Sequence, residues 1–553
     1  MPAGGQADVS VSAGTAGTLP GAVGGRLVAS GDAGLRVSTP LAAENEQETY
    51  ALTLRHTGRD GAPTPHYLTT LRQLDGAASW RVIHAPESGN GSVTLRLPRG
   101  RWAVYGTLTD GEHTTHLVHP DLDLSATRTL ELDARLGRPV SVTVPDPSAV
   151  QLNAQVSFDD SVGRRIFLSD RFENMATAQL GPDRTYDDVV TGVAGTWTHA
   201  GTGGTDAGAR TYRLAWFHDG GMITGFHREV ARRDLATIHT DHAAHLPGRH
   251  RRAAVARLGD GRGGIADMAI GFTTPSTYTE YVNGDRGARW QRFFLEDGPG
   301  TEEGPEGEEG AEAETVLESP PTRYTPGRVH RESWNRGVFG PVLTPQDGVS
   351  DALVRSGGSI RVDVPMYGDG AGHSGTARTT GARVALYRDG DLITERPGLG
   401  AKFTVPAEAA RYRLVVEAER GAPATLSTRL SVAWTFRSEE AEGTVPLPVS
   451  VVRFSPPLDA RNTAPGGVPY RVPVTVQAQP GSAAGTSRDL VVEVSYDDGA
   501  TWSRAPVHGG GAVLRHPAAG GFASLRATST DTAGNTVEQT VIRAYRIVPA
   551  NRR

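Results

Sequence analysis

The sequence predicts an all-β protein of tandem β-sandwich domains, immunoglobulin- or fibronectin-like in size and pattern, with little helix. Three observations lead there. Sixty-nine glycines and 36 prolines stand among 553 residues, and these are the two worst helix formers. The apolar residues, 37% of the chain, fall in short runs that alternate with polar ones, the period of a half-buried strand. Turn residues separate these runs every 8–12 residues or so, the spacing of sandwiches and barrels. The length suits roughly three to four domains of about 150 residues.

Residues 1–45 are mostly Gly, Ala, Ser and Thr with little periodicity. They read as a flexible lead-in, with Gly25–Ser30 able to donate one edge strand. Over residues 46–137 the texture changes to that of a β-sandwich. Tyr50, Leu52 and Leu54 alternate with Ala51, Thr53 and Arg55, and Arg59-Asp60-Gly61-Ala62-Pro63 makes a turn. Ser92–Leu97, the Trp102–Leu108 run and Thr129–Asp133 continue the pattern.

Residues 138–345 read as a larger β-sandwich, opening with Pro139–Pro145 and continuing through Tyr212–Phe217 and Met222–Phe226. Glu229–Ala236 lacks Gly and Pro and is expected to make two helical turns. Residues 296–318 carry the run Glu302-Glu303-Gly304-Pro305-Glu306-Gly307-Glu308-Glu309. A block of like charges without apolar partners buries nothing, so an acidic disordered insertion is expected there.

A third sandwich is expected over residues 346–455, with strands at Ile360–Val364, Val384–Tyr387, Tyr412–Val416 and Leu430–Phe436. The last unit, residues 456–553, has the size of an immunoglobulin-like domain, with strands at Val472–Val476, Leu490–Val494 and Thr540–Tyr545.

A net charge of −6 spread over this length makes no field for nucleic acid, and Lys402 is the single lysine among scattered arginines. There is no cysteine, which excludes disulfides, thiolate metal sites and cysteine nucleophiles. No apolar stretch approaches the roughly 18 residues of a membrane span. Met1–Gln6 has neither a basic nor an apolar stretch, so no signal peptide is expected.

Gly372-His373-Ser374-Gly375 has Thr376 where a nucleophile elbow needs glycine, so loop chemistry is expected. His239, His242, His245 and His250, with Asp241, have a spacing zinc could use, but Pro247-Gly248 follows and there is no HExxH. A solvated loop is the expectation, with no metal. Asp389-Gly390-Asp391 and Asp497-Asp498-Gly499 lack calcium-loop spacing and read as hairpin turns. Ser495–Trp502 fits S-x-D-x-G-x-T-W, the Asp-box of sialidase-like propellers, but occurs once, so a locked hairpin is expected. Trp102, Trp216, Trp434 and Trp502 lie in or beside alternating strands and are expected in cores. No catalytic, cofactor-binding or metal residue is assigned.

Three stretches together resemble a known family. They are Tyr324–Arg328 with Trp334–Pro341, Val494–Trp502, and Leu525–Ser529 continuing through Asp531-Thr532-Ala533-Gly534-Asn535 to Tyr545. They resemble the region that follows the catalytic domain in large secreted bacterial subtilisin-like serine proteases. Residues 48–135 also resemble the prealbumin-like, carboxypeptidase-regulatory sandwich found there. The likeness runs from about residue 48 to the C-terminus, but the family's Asp, His-Gly-Thr and Gly-Thr-Ser-Met-Ala motifs are missing. The resemblance therefore implies an extracellular, non-catalytic accessory portion without its enzyme, acting in binding, spacing or stabilisation. Its implied partners are a protease catalytic domain, a polymeric substrate or a cell surface. The alternative, suggested by the Asp-box and the aromatic sandwiches, is an extracellular glycan-binding or glycan-cleaving protein. No cofactor is implied by either.

Overall fold

The computed structural model describes residues 5–6, 8–12, 21–31, 34–45, 48–75, 81–85, 89–199, 209–266, 269–298, 313–343 and 353–550. The architecture is all-β, with several sandwich-like units; the helices among the described residues are 3₁₀ turns of three residues, such as Ala134–Leu136 and Arg232–Asp234. Glu229–Ala236 is therefore not a helix. It divides into the end of strand Phe226–Glu229, the turn at Arg232–Asp234 and the start of strand Leu235–His242.

The first sandwich follows directly from alternation. Strand Thr49–Thr57, between Ser92–Pro98 and Arg128–Asp133, turns Leu52 and Leu54 inward and leaves Arg55 in water. They meet Leu71, Trp102 and Leu117 from a seven-stranded sheet. That sheet is buried on both faces. Trp102 and Val104 of strand Gly100–Asp110 face the first core, and Ala103 and Tyr105 face a second, with Val156, Phe158 and Trp197. A strand covered on both sides reads as a continuous apolar run, as residues 102–105 do.

The shared sheet crosses the expected division at 137/138. Arg138–Thr143 pairs with Met175–Gln179, which runs parallel to His113–Leu124. The division at 345/346 is crossed as well, because Thr315–Glu318 pairs with Ser374–Ala377. At 455/456, Arg429–Thr435 pairs with Thr536–Ile542, and one core takes in residues from Val338 to Ile547. The units are sandwiches whose neighbours share sheets, not separate beads. Hydrophobic patterning shows where a strand is buried but not which sheet it joins.

Gly21–Ser30 does not donate an edge strand to a sandwich; it pairs with Arg36–Asn45 as a two-stranded hairpin. Of the acidic stretch, residues 299–312 lie outside the described residues. Its two ends are ordered, contrary to expectation. Glu296 closes strand Arg289–Glu296 with 0% exposure, and Thr315–Glu318 is a strand with Thr315 and Leu317 buried.

Candidate functional site

The histidines expected in a solvated loop are the entry to the molecule's main buried polar centre. Strand Leu235–His242 delivers His242 into an aromatic enclosure, with ring centroids at 4.7 Å to Phe272, 5.4 Å to Phe294 and 6.4 Å to Trp334. The chain then turns at Pro247-Gly248, tied by Ala243 N to Trp334 O (3.0 Å) and Ala244 N to Ala460 O (2.8 Å). Strand His250–Arg257 begins opposite Glu296 in the ladder. His239 is half-buried, with Nδ1 3.0 Å from Thr279 Oγ1. The loop reading fails because a second sheet and Trp334 cover this end of the strand.

Glu296 is the anchor. Its Oε2 lies 3.4 Å from His245 Nδ1 and its Oε1 3.6 Å from His250 Nε2. Oε1 also accepts from Asn335 Nδ2 at 2.7 Å and from Leu246 N at 3.2 Å. Burial opposes charge on Glu296, but the two imidazoles beside it hold its carboxyl well below the usual carboxylate range. Burial also lowers His245 and, more strongly, His242. We take Glu296 as ionised, because the Asn335 amide and the Leu246 N–H hold it whatever the state of His245.

Asn335 extends the centre to the rest of the molecule. It stands at φ 57°, a backbone region that asparagine tolerates better than most residues. Its Nδ2 also donates to Ala243 O, and its main-chain N–H donates to Asp369 Oδ2, both at 3.0 Å. Asp369 Oδ2 contacts His373 Nδ1 at 2.8 Å, and the His373 ring stacks on Trp334 with centroids 3.6 Å apart. Asn462, at 0% exposure, accepts from Gly337 N (2.8 Å) and donates to Ala244 O (3.0 Å) and Asn335 O (2.9 Å). Arg453 donates to the carbonyls of Gly340, Pro341 and Asp369. Segments near residues 244, 296, 335, 369, 453 and 462 thus meet in one buried junction.

Beside it lies an ionic core that no sequence motif announced. Glu280 pairs with Arg213 at 3.1 Å, with Arg252 at 3.6 Å and with Arg292, which also pairs with Glu332. Glu332 accepts from Tyr324 OH at 2.5 Å and from Trp334 Nε1 at 3.1 Å. The signal was charged residues inside apolar runs, as in Tyr212-Arg213-Leu214, which alone cannot distinguish a buried ion cluster from an exposed face. Among the described residues no group of three or more His, Asp or Glu side chains is arranged to hold a metal ion.

The remaining candidates are placed plainly. His373 belongs to the junction, and Ser374 opens a strand opposite Glu318 with 7% exposure, so Gly372–Gly375 forms no nucleophile elbow. Elsewhere among the described residues, a serine, a histidine and an acid meet at two surface points. Ser141 Oγ is 2.7 Å from His227 Nδ1, but Glu229 is 3.9 Å from the other ring nitrogen and the side chains of His227 and Glu229 are mostly exposed. Ser148 Oγ and Asp146 Oδ2 both lie against His199 Nδ1, at 3.1 and 3.5 Å.

Asp497 accepts from Ser495 Oγ (2.6 Å), Thr501 N (2.9 Å) and Thr501 Oγ1 (2.5 Å), and these bonds hold its carboxyl down to about 2. That is a locked turn. Asp389 and Gly390, both at positive φ, turn the hairpin between Gly381–Arg388 and Asp391–Pro397. Trp102, Trp216 and Trp434 are buried, whereas Trp502 is half-buried with the Arg526 guanidinium over its ring at 4.6 Å.

These sheets and this junction define a multi-domain all-β protein of several sandwich-like units. Neither a protein-family model nor a curated protein matches the chain. Among solved structures it is similar to fibronectin(III)-like modules of Clostridium thermocellum CbhA, at 13% identity and TM-score 0.14, covering 35% of this chain and 87% of that one. It is also similar to the Bacillus anthracis TIE protein (9% identity, 56% of this chain and 57% of that chain, TM-score 0.12). A mutant Salmonella alpha-2-macroglobulin matches at 9% identity and TM-score 0.14, over 92% of this chain and 53% of that one. This chain therefore spans about half the length of the alpha-2-macroglobulin. Superposition at such scores carries no functional inference; the all-β class stands on the sheets themselves.

Proposed function

We propose that this protein is a non-catalytic accessory scaffold that acts outside the cell. In this reading it spaces or stabilises a partner, such as the catalytic domain of a subtilisin-like serine protease, or holds a polymeric substrate or cell surface. The observation that carries the reading is the junction around Asn335 and Asn462. Its polar side chains are spent on main-chain groups of distant segments, with Asn462 alone binding Gly337, Ala244 and Asn335. Groups engaged in this way brace neighbouring units and are not poised to attack a bond. A braced body transmits position, which is what a spacer must do.

The test is an activity assay on the purified full chain with casein, a peptide library and a fluorophosphonate serine probe. The reading predicts no turnover and no labelling. It also predicts that adding the chain to a secreted subtilisin-like catalytic domain slows that domain's thermal inactivation. Turnover sensitive to serine inhibitors would overturn it.

A further inference from the structure

Arg420 is a buried cation without a carboxylate partner. It is 5% exposed. Its Nε and Nη2 both donate to Leu426 O, at 3.1 and 2.7 Å. Its guanidinium lies 4.6 Å from the Tyr367 ring centroid and 5.5 Å from that of Phe339. Among the described residues no Asp or Glu reaches it within ion-pair distance, and Nη1 has no hydrogen-bond partner. Burial pushes this guanidinium down to about 10, with Tyr367, Glu296 and Glu314 acting in the opposite direction, so it stays charged at neutral pH.

Buried charges in folded proteins are ordinarily paired. Arg453, also buried at the junction, shows how a guanidinium is satisfied here without an acid, by three carbonyls from two segments. Arg420 has one. What it has instead is a pocket of about 230 Å³, whose wall it forms with Leu246, Thr315, Thr379 and Ala424. The Thr315 hydroxyl is buried there without a hydrogen-bond partner. Of the other charged residues that line it, Arg378 and Glu314 pair with each other at 3.4 Å.

We propose that this pocket binds a carboxylate, held by Arg420 Nη1. The class follows from size and lining. The pocket falls below the roughly 300–1,000 Å³ of sites for drug-sized ligands, so it takes a single small group and not an oligosaccharide. Leu246, Ala422 and Ala424 offer apolar surface for the carbon that carries the carboxylate. Such a group arrives either as a small free acid or as the C-terminal carboxylate of a peptide. The site stands whether or not the chain proves to be a scaffold.

The experiment uses the full chain at constant ionic strength and reads calorimetric titration and thermal midpoint. The probes are acetate, a short peptide with a free C-terminus ending in alanine, and the same peptide amidated. Saturable binding of acetate and peptide alike, with the amidated form silent, supports the site and makes a small acid sufficient. Saturable binding of the free-acid peptide alone supports the site and assigns it to chain termini. Two variants locate it. Arg420→Met removes the cation and should weaken binding at least ten-fold. Ala424→Phe, at a half-buried position that leaves the cation in place, should block binding while preserving the fold. No saturable binding by any probe, binding equal for free and amidated peptide, or binding unchanged in Ala424→Phe would overturn the proposal.

Discussion

An asparagine, a histidine and a glutamate show how much this fold asks of single polar residues. Asn462, itself fully buried, makes three hydrogen bonds to main-chain groups of two other segments. Truncating it strands a buried N–H and two carbonyls, at about 1 kcal/mol or more per group. Asn462→Ala should therefore lower unfolding free energy by about 3 kcal/mol, read by denaturant melts, whereas exposed Asn90→Ala should change little. His116 is a different case. It is 2% exposed and stacked on Phe167, with Nδ1 3.1 Å from Thr107 Oγ1, and Nε2 is buried without a hydrogen-bond partner. Burial pushes its imidazole down to about 4. The folded state thus binds this proton less readily than the unfolded chain, so stability is fully present above about pH 6.5 and falls as pH drops toward 4. At pH 5 that one group costs roughly 2 kcal/mol. His116→Phe should flatten the fall in thermal midpoint between pH 7 and pH 5; an unchanged slope would refute the assignment. Glu296 acts at lower pH. Its folded carboxyl lies below the unfolded value, so its contribution is present above about pH 4.3 and is lost as pH falls below it.

At the scale of single elements, period-2 alternation was readable wherever a strand has one wet face. Thr49–Thr57 and Ala410–Glu419 alternate in burial as their sequences do. The doubly covered strands were recognisable as strands, but the sequence does not encode which sheets flank them. That is why the domain divisions did not follow the ladders. The histidine cluster was misread for the same physical reason. Whether His242 and His245 are wet depends on Phe272, Phe294, Trp334 and Phe339, all distant in sequence or in other strands. Glu296 looked like the first residue of an acidic run, and only the opposing His250 reveals it as the end of a strand. Strand Ser374–Ala377 carries the ladder from Thr315–Glu318 into the following unit, and Gly375 makes the close approach possible. A Cβ there would lie 2.3 Å from Tyr367 O, a main-chain atom that cannot swing aside. Gly375→Ala should cost about 1–3 kcal/mol through forced backbone displacement. Circular dichroism melts check it, with Gly390→Ala, whose Cβ meets nothing within 4 Å, separating crowding from the strain of positive φ that Gly390 alone carries.

At the largest scale, shared sheets and the buried junction tie together sandwiches that composition suggested were tandem modules. The ladder between Arg429–Ser438 and Thr536–Val548 and the single core running from Val338 to Ile547 leave no point between 353 and 548 where the chain divides cleanly. Calorimetry should accordingly find one transition for residues 353–548, and expression of 456–553 alone should yield an unfolded chain; independent folding of that piece would contradict the shared-sheet account.

Hydrogen exchange on the full-length chain, wild type against Asn462→Ala, tests the bracing role of the junction most directly. Bracing predicts faster exchange together in Leu235–His242, Arg289–Glu296 and Thr536–Val548. Faster exchange confined to the few residues around 462, with the distant strands unchanged, would contradict it.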